Sequence, residues 1–284
     1  MGRTLPPCAC SIAGSDSGGG AGLQADLKVF AGLGVWGLSV VTAVTAQNTR
    51  GVAGISLTSP PMVSLQLETL CDEFEILAMK TGMLGDSGII RAVARGIPEG
   101  VPLVLDPVMV STSGHALLAD AARDDLVRLL LPRATVVTPN AREAEVLSGL
   151  SPIRDLRQAA DAGRKILELG PEYVLVKGGH LSGNRAADLL LSSSGEWCLS
   201  TPRYPYEIHG AGCCFSAALC AYLAHGLDVP EAFGRAKAYM DGLVRNARRA
   251  PSGIHVLTPG PEQSFPGGTG ETGSSVSTST VQQK

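Results

Sequence analysis

Six apolar runs in this chain stop abruptly at polar or glycine-rich turns. The turns are GSDSGGGAG at 14–22, AQNTRG at 46–51, KTGML at 80–84, DPVM at 106–109, TPNAREAE at 138–145 and VKGGH at 176–180. Segments of helical spacing lie between them. Strands that alternate with helices predict a mostly parallel sheet covered on both faces. In such a sheet ligands bind at the carboxyl ends of the strands, so all six turns would gather on one edge.

The expected elements follow in order. Residues 8–13 read as a strand, and Leu23, Leu27 and Phe30 share one face of a helix after it. A buried strand is expected at 35–44, followed by a polar loop at 47–51. Pro60-Pro61 opens a helix. Short strands are expected at 76–80, 101–105, 135–137 and 173–176. Helices are expected at 87–95 with Ser87 as cap, and at 117–131, 141–147, 155–169, 212–225 and 230–249. Residues 187–191 and 196–199 resemble a hairpin around Ser192–Gly195. No linker interrupts 8–258, so residues 1–259 are expected to form one domain. Residues 260–284 are rich in Gly, Ser, Thr and Gln, and predict a disordered tail.

Composition narrows the function. Of 284 residues, 44% are hydrophobic, enough for a large core. The formal net charge of −3 excludes an electrostatic nucleic-acid binder. The seven cysteines form no CxxC pair and no zinc-like spacing, and the start lacks a signal-peptide core. A cytoplasmic protein with reduced thiols is the expectation. Residues 29–49 carry no charge, but Gly32, Gly34, Gly37 and the following hydroxyl residues fit a helix end and a strand better than a membrane span.

Two glycine-rich segments lead into helices. Gly20–Ala25 fits GxGxxA, yet no Asp or Glu occurs between Asp26 and Glu68, so the acidic partner of a dinucleotide site is missing. His209-Gly210-Ala211-Gly212-Cys213-Cys214 precedes a second helix. Free backbone N–H groups there can hold an anion, and a thiol at such a place has a lowered pKa and can act as a base. Taken alone, the same residues read more simply as a structural turn followed by buried cysteines. Asp106 and Glu143 suit a hard divalent cation. Asn140 with Glu143 three residues on is also a capping box.

Taken in order, AGSDSGGGAGLQADLK, TAVTAQNTRGV, KTGMLGD, LDPVMVSTSG, TPNAREAEVL, VLVKGGH and HGAGCCFSAAL closely resemble the hydroxymethylpyrimidine and phosphomethylpyrimidine kinases of thiamine biosynthesis, members of the ribokinase-like superfamily. The motifs fall across residues 13–219, and the resemblance covers almost the whole chain except the tail. It implies a three-layer α/β/α sandwich that uses ATP and Mg²⁺ to phosphorylate first the pyrimidine hydroxymethyl group and then the monophosphate. It implies that Gln47 reads the aminopyrimidine edge, since an amide offers a donor beside an acceptor. Asp26, Gly14 and Val108 match substrate-pocket positions, and Met83 an apolar wall. Asp106 and Glu143 match acidic positions near the metal, and Asn140 and Lys177 positions near the nucleotide phosphates. Gly210, Ala211, Gly212 and Cys213 match the anion hole, with Cys213 at the position of the base. A homodimer is the family expectation.

Departures from the family pattern stand out. Gly210-Ala211-Gly212-Cys213-Cys214 stands where Gly-Thr-Gly-Cys-Thr is common, which loses a Thr hydroxyl as a phosphate contact, and Thr112 stands where a Lys is common after DPVMV. Two rival functions remain at this stage: a pyridoxine or pyridoxal kinase, and a catalytically silent pyrimidine-binding protein.

Overall fold

The computed structural model describes residues 5–109, 117–179, 181 and 184–260. Thr112, His180 and the tail from 261 onward lie outside these residues.

Strand β1 (Cys8–Asp16) is central, and its side chains alternate between two cores. Cys8, Cys10 and Ile12 join one apolar cluster and Ala9 the other. Helix α1 (Gly22–Gly32) leads into β2 (Trp36–Asn48), which turns tightly into β3 (Gly51–Leu57). Helix α2 (Pro60–Glu73) follows, then β4 (Ile76–Thr81), α3 (Ser87–Gly96) and β5 (Leu103–Leu105). Helix α4 (Asp120–Leu129) and a 3₁₀ turn at Leu131–Arg133 precede β6 (Val136–Val137). Next come α5 (Ala141–Ser148), α6 (Leu156–Leu167) and β7 (Tyr173–Val176). The hairpin of β8 (Arg185–Ser192) and β9 (Gly195–Pro202) is followed by β10 (Ile208–His209), α7 (Ala211–Ala224), α8 (Val229–Arg245), β11 (Arg248–Arg249) and β12 (His255–Val256).

The main sheet has the order β3-β2-β1-β4-β5-β6-β7-β8-β9. Strands β2, β1, β4, β5, β6 and β7 pair in parallel. Antiparallel partners close both edges, β3 beside β2 and the β8–β9 hairpin beside β7. Helices α2 to α6 bury Val63, Leu67, Ile89, Val93, Leu126, Ala144 and Ile166 against one face. Helices α1, α7 and α8 cover the other, where small residues such as Ala9 and Ala78 let α7 lie close. The three-layer α/β/α expectation therefore holds. A small sheet, β10-β12-β11, braces the entry to α7.

Several local expectations are corrected. Strand β2 does not stop at 44; it continues through Gln47 to Asn48, into the expected polar loop, and pairs with β3, for which no strand was expected. Asp86, not Ser87, caps α3, its carboxylate accepting from Ile89 N at 2.9 Å. The helix expected at 117–131 begins at Asp120 and ends at Leu129. Contacts also reach Gly260, one residue into the expected tail, where its carbonyl accepts from Tyr239 at 3.4 Å. The uncharged stretch 29–49 is divided between the end of α1 and β2, and among the described residues no helix is long and apolar enough to cross a membrane.

Candidate active site

The parallel strands deliver their carboxyl ends to one edge. Asp16 ends β1 and Gln47 lies near the end of β2. Met83 follows β4, and Asp106 and Val108 follow β5. Asn140 follows β6 and Lys177 follows β7, the last two forming a parallel bridge with each other.

The loop after β1 folds around one carboxylate. Asp16 accepts from Gly18 N at 2.8 Å, Gly20 N at 3.1 Å and Ala21 N at 2.8 Å. Its Oδ2 lies 2.9 Å from His209 Nε2, the residue before the second glycine segment. Burial pushes Asp16 up, but His209 and the backbone donors outweigh it and hold the carboxyl below its usual range. This pairing straps the first loop to the start of α7.

At that start Gly210 is the N-cap, in the left-handed region at φ 79°, with no side-chain cap on the helix. A Cβ on Gly210 would lie 1.8 Å from Gly20 O, so the two glycine segments touch through backbone and only glycine fits. The first-turn N–H groups of Ala211, Gly212 and Cys213 have no intrahelical partners. A Cβ on Gly212 would lie 3.3 Å from Lys177 Nζ, so the ammonium reaches the helix start.

Lys177 donates to Asp106 Oδ1 at 2.9 Å, and Ser216 donates to Asp106 Oδ2 at 2.9 Å. Thr138 adds a longer bond to Oδ1 at 3.3 Å. Asn140 and Glu143 form the reciprocal capping box: Asn140 N donates to Glu143 Oε2 at 2.8 Å, and Glu143 N to Asn140 Oδ1 at 3.0 Å. Burial raises the Glu143 carboxyl to about 7; Lys177 opposes this and Asp106 adds to it.

These two carboxylates fit a magnesium ion held largely through water and substrate phosphates. Glu143 feels the charge of Asp106, and Lys177 feels both carboxylates. Among the described residues no cluster of three or more metal-ligating side chains forms a dedicated cage.

The expected pocket residues separate. A Cβ on Gly14 would lie 3.0 Å from Met83 Sδ, and one on Gly22 would lie 2.4 Å from Gly14 O, so Gly14, Met83 and the start of α1 share one wall. Gln47 is half-buried, its Oε1 accepting from Thr45 at 3.2 Å and its backbone N–H donating to Ser17 at 2.8 Å. Val108 is half-buried, its N–H donating to Asp106 O at 2.8 Å. Asp26 departs from expectation. It is fully buried behind this wall, bonded to Ser11 and Lys80, and presents no surface to a ligand.

The two thiols differ. Cys213 is mostly buried, with part of its surface open at the start of α7, while Cys214 is fully buried in the α1–α7–α8 layer. The expected lowering of the Cys213 pKa is overturned. Burial dominates and pushes the thiol up to about 11, opposed chiefly by Lys80 and helped upward by Asp26 and Asp106.

A sequence model of the family described as phosphomethylpyrimidine kinase matches residues 16–257. The chain belongs to this family. The hydroxymethylpyrimidine/phosphomethylpyrimidine kinase of Rhizobium meliloti is 45% identical over 249 residues, covering 86% of this chain and 93% of its own. That of Streptomyces coelicolor is 45% identical over 243 residues, covering 84% and 89%. Among solved structures, the phosphomethylpyrimidine kinase of Clostridium difficile is 38% identical with a TM-score of 0.73, covering 84% of this chain and 99% of its own. The pyridoxal kinase of Staphylococcus aureus in complex with pyridoxal is 32% identical with a TM-score of 0.84, covering 92% and 96%. Ser216 and Thr138 around Asp106, and His209 and Asp16 around the first loop, join the site without having been singled out as site residues in the sequence. His209 carried one signal, its place directly before the glycine segment.

Proposed function

We propose that the protein phosphorylates 4-amino-5-hydroxymethyl-2-methylpyrimidine, and then its monophosphate, with ATP and Mg²⁺ in the cytoplasmic synthesis of thiamine. The observation that carries this reading is the meeting of three features at one sheet edge. They are the uncapped start of α7 with Cys213 in its first turn, the Lys177–Asp106 pair beside it, and the Gly14–Met83 wall. The seven free thiols suit a reducing compartment.

In the transfer, the substrate hydroxyl oxygen bonds to the γ-phosphorus and the bond to the β–γ bridging oxygen breaks. The hydroxyl proton passes to the sulfur of Cys213 after the thiol has lost its own proton, a loss that the nucleotide-free site disfavours. The N–H groups of Ala211, Gly212 and Cys213 face the charge that develops on the phosphoryl oxygens, and Lys177 adds a cation there. Magnesium would be held by Asp106 and Glu143 and would supply charge neutralisation of the phosphates. Gln47 would pair with the aminopyrimidine edge, its Nε2 donating to no group among the described residues.

Backbone similarity favours a second reading, since the pyridoxal kinase fits at a TM-score of 0.84 against 0.73 for the pyrimidine kinase. Sequence identity ranks them the other way, 32% against 38%. Turnover on the two rings under the same conditions separates the readings. A homodimer is proposed on the β2–β3 ribbon, where Val44, Ile55 and Leu57 are 57%, 42% and 42% exposed.

A further inference from the structure

Strand β7 ends at Val176, and its antiparallel ladder with β8 stops there too, at the pair Val176–Leu189. Continued in the same register, the ladder would set Gly178 opposite Ala187. The chain instead crosses close over β8, where a Cβ on Gly178 would lie 1.6 Å from Ala187 O. Gly178 is buried, so its N–H needs an acceptor that the ladder no longer provides. A side chain supplies it: Asp188 Oδ1 accepts from Gly178 N at 2.7 Å.

The second oxygen of Asp188 is held as well. Lys237 Nζ donates to Oδ2 at 2.7 Å and to Ala186 O at 3.0 Å. The side chains of Lys237 and Asp188 are 8% and 7% exposed. Lys237 comes from α8, among the buried apolar residues Phe233, Ala236 and Met240. A buried ion pair is a poor source of stability, because desolvation offsets the attraction. This pair does hold the peptide that follows Lys177.

Lys177 is thereby fixed on both sides. Its own N–H donates to Pro139 O at 2.8 Å, and the next N–H is held by Asp188. Peptide units are planar, so holding the two that flank Lys177 sets its φ and ψ and the direction of its Cβ. At the far end the ammonium meets Asp106 Oδ1 at 2.9 Å beside the start of α7.

We propose that Asp188, clamped by Lys237, is a positioning residue for Lys177: by accepting from the Gly178 N–H it aims the ammonium at the place where phosphoryl charge develops. No bond to Asp188 or Lys237 forms or breaks in the transfer. The inference rests on the reading of Lys177 as the cation that faces the phosphates.

The test compares two neutral double variants, Asp188→Ala/Lys237→Met and Asp188→Asn/Lys237→Met. Both remove the ion pair without leaving a buried charge unpaired, and only the second keeps an acceptor for Gly178. The measurements are kcat/KM for ATP and, by calorimetry, pyrimidine Kd. Asp188→Ala/Lys237→Met is expected to lose about tenfold or more in kcat/KM for ATP with pyrimidine Kd unchanged, and Asp188→Asn/Lys237→Met to stay within about threefold of wild type. Equal losses in the two variants, no loss in either, or a pyrimidine Kd that weakens in step overturns the proposal. Introduced into a Lys177→Ala enzyme, Asp188→Ala/Lys237→Met is expected to cost less than about twofold more, and a further tenfold loss there overturns the proposal, because the pair would then act through another group. Should Asp188→Ala/Lys237→Met not fold, Asp188→Asn/Lys237→Met carries the test: a near-wild-type rate supports the role of the acceptor, and a tenfold loss overturns it. A Lys177→Ala enzyme with wild-type kcat/KM for ATP would sink the reading of Lys177 itself, an outcome separate from any difference between the two double variants.

Discussion

Cys213 and Cys214 are adjacent in sequence and differ in every physical respect that matters for a base. Consecutive helical residues point about 100° apart, so one thiol meets the cleft while the other enters the core. Cys213→Ala is therefore expected to lose about 10²-fold or more in kcat with pyrimidine Kd nearly unchanged. Cys214→Ala is expected to keep most activity and lose modest stability, as a small buried hydrophobe would. Turnover and calorimetric binding check both, and an active Cys213→Ala beside a dead Cys214→Ala would reverse the assignment. The raised thiol also fixes a pH profile. A thiol pushed up to about 11 is protonated at neutrality, so Cys213 labelling in nucleotide-free protein should climb continuously from about pH 7 to 10. A plateau near pH 8 would contradict that burial. Glu143 gives the converse case for stability. Its folded pKa, about 7, lies above its ordinary value of 4.5. Its contribution is thus fully present at acid pH and is lost as pH rises through about 7. Glu143→Gln should raise stability at pH 8 by on the order of 1–3 kcal/mol while weakening Mg²⁺-dependent turnover. A denaturation curve at pH 8 that shows no gain would contradict the cost of burying this carboxylate.

At the scale of elements, the site depends on backbone approach more than on side chains. Gly210 combines a φ of 79° with a neighbouring carbonyl 1.8 Å from where a Cβ would stand. Gly210→Ala must shift the start of α7 away from Gly20, and should cost about 1–3 kcal/mol for the backbone conformation alone. Turnover should fall with it, and a variant of wild-type stability and rate would show that the two glycine segments need not touch. What the sequence disclosed at this scale follows from local chemistry. The Asn140–Glu143 box was legible because both partners lie within one helical turn. The β8–β9 hairpin was legible from its turn residues. Strand β3 was not, because most of its residues are exposed and show no alternation, so its pairing is set by β2 alone. The two-residue strands of the small sheet are too short to carry a pattern. Asp26 and Lys80 are 54 positions apart, and only the fold makes them partners. The thiol's raised pKa was hidden for the same reason: the helix start argues for a lower value, and burial by distant chain overrides it.

The whole molecule gathers the ends of six parallel strands at one edge, and the antiparallel ribbon β2–β3 projects an apolar surface beside it. If that ribbon joins two copies, light scattering should give twice the chain mass, and Ile55→Glu should give the mass of one chain. A wild-type protein that runs as a single chain at micromolar concentration would contradict the proposed dimer. Phosphorylation of the pyrimidine is read out by product analysis. The protein is incubated with Mg²⁺-ATP and hydroxymethylpyrimidine, or in a parallel reaction with pyridoxal, and the products are resolved by mass spectrometry. The expected product is the pyrimidine monophosphate, followed by the diphosphate, with pyridoxal turned over more slowly. Pyridoxal phosphate as the dominant product, or no phosphorylated pyrimidine at all, would contradict it.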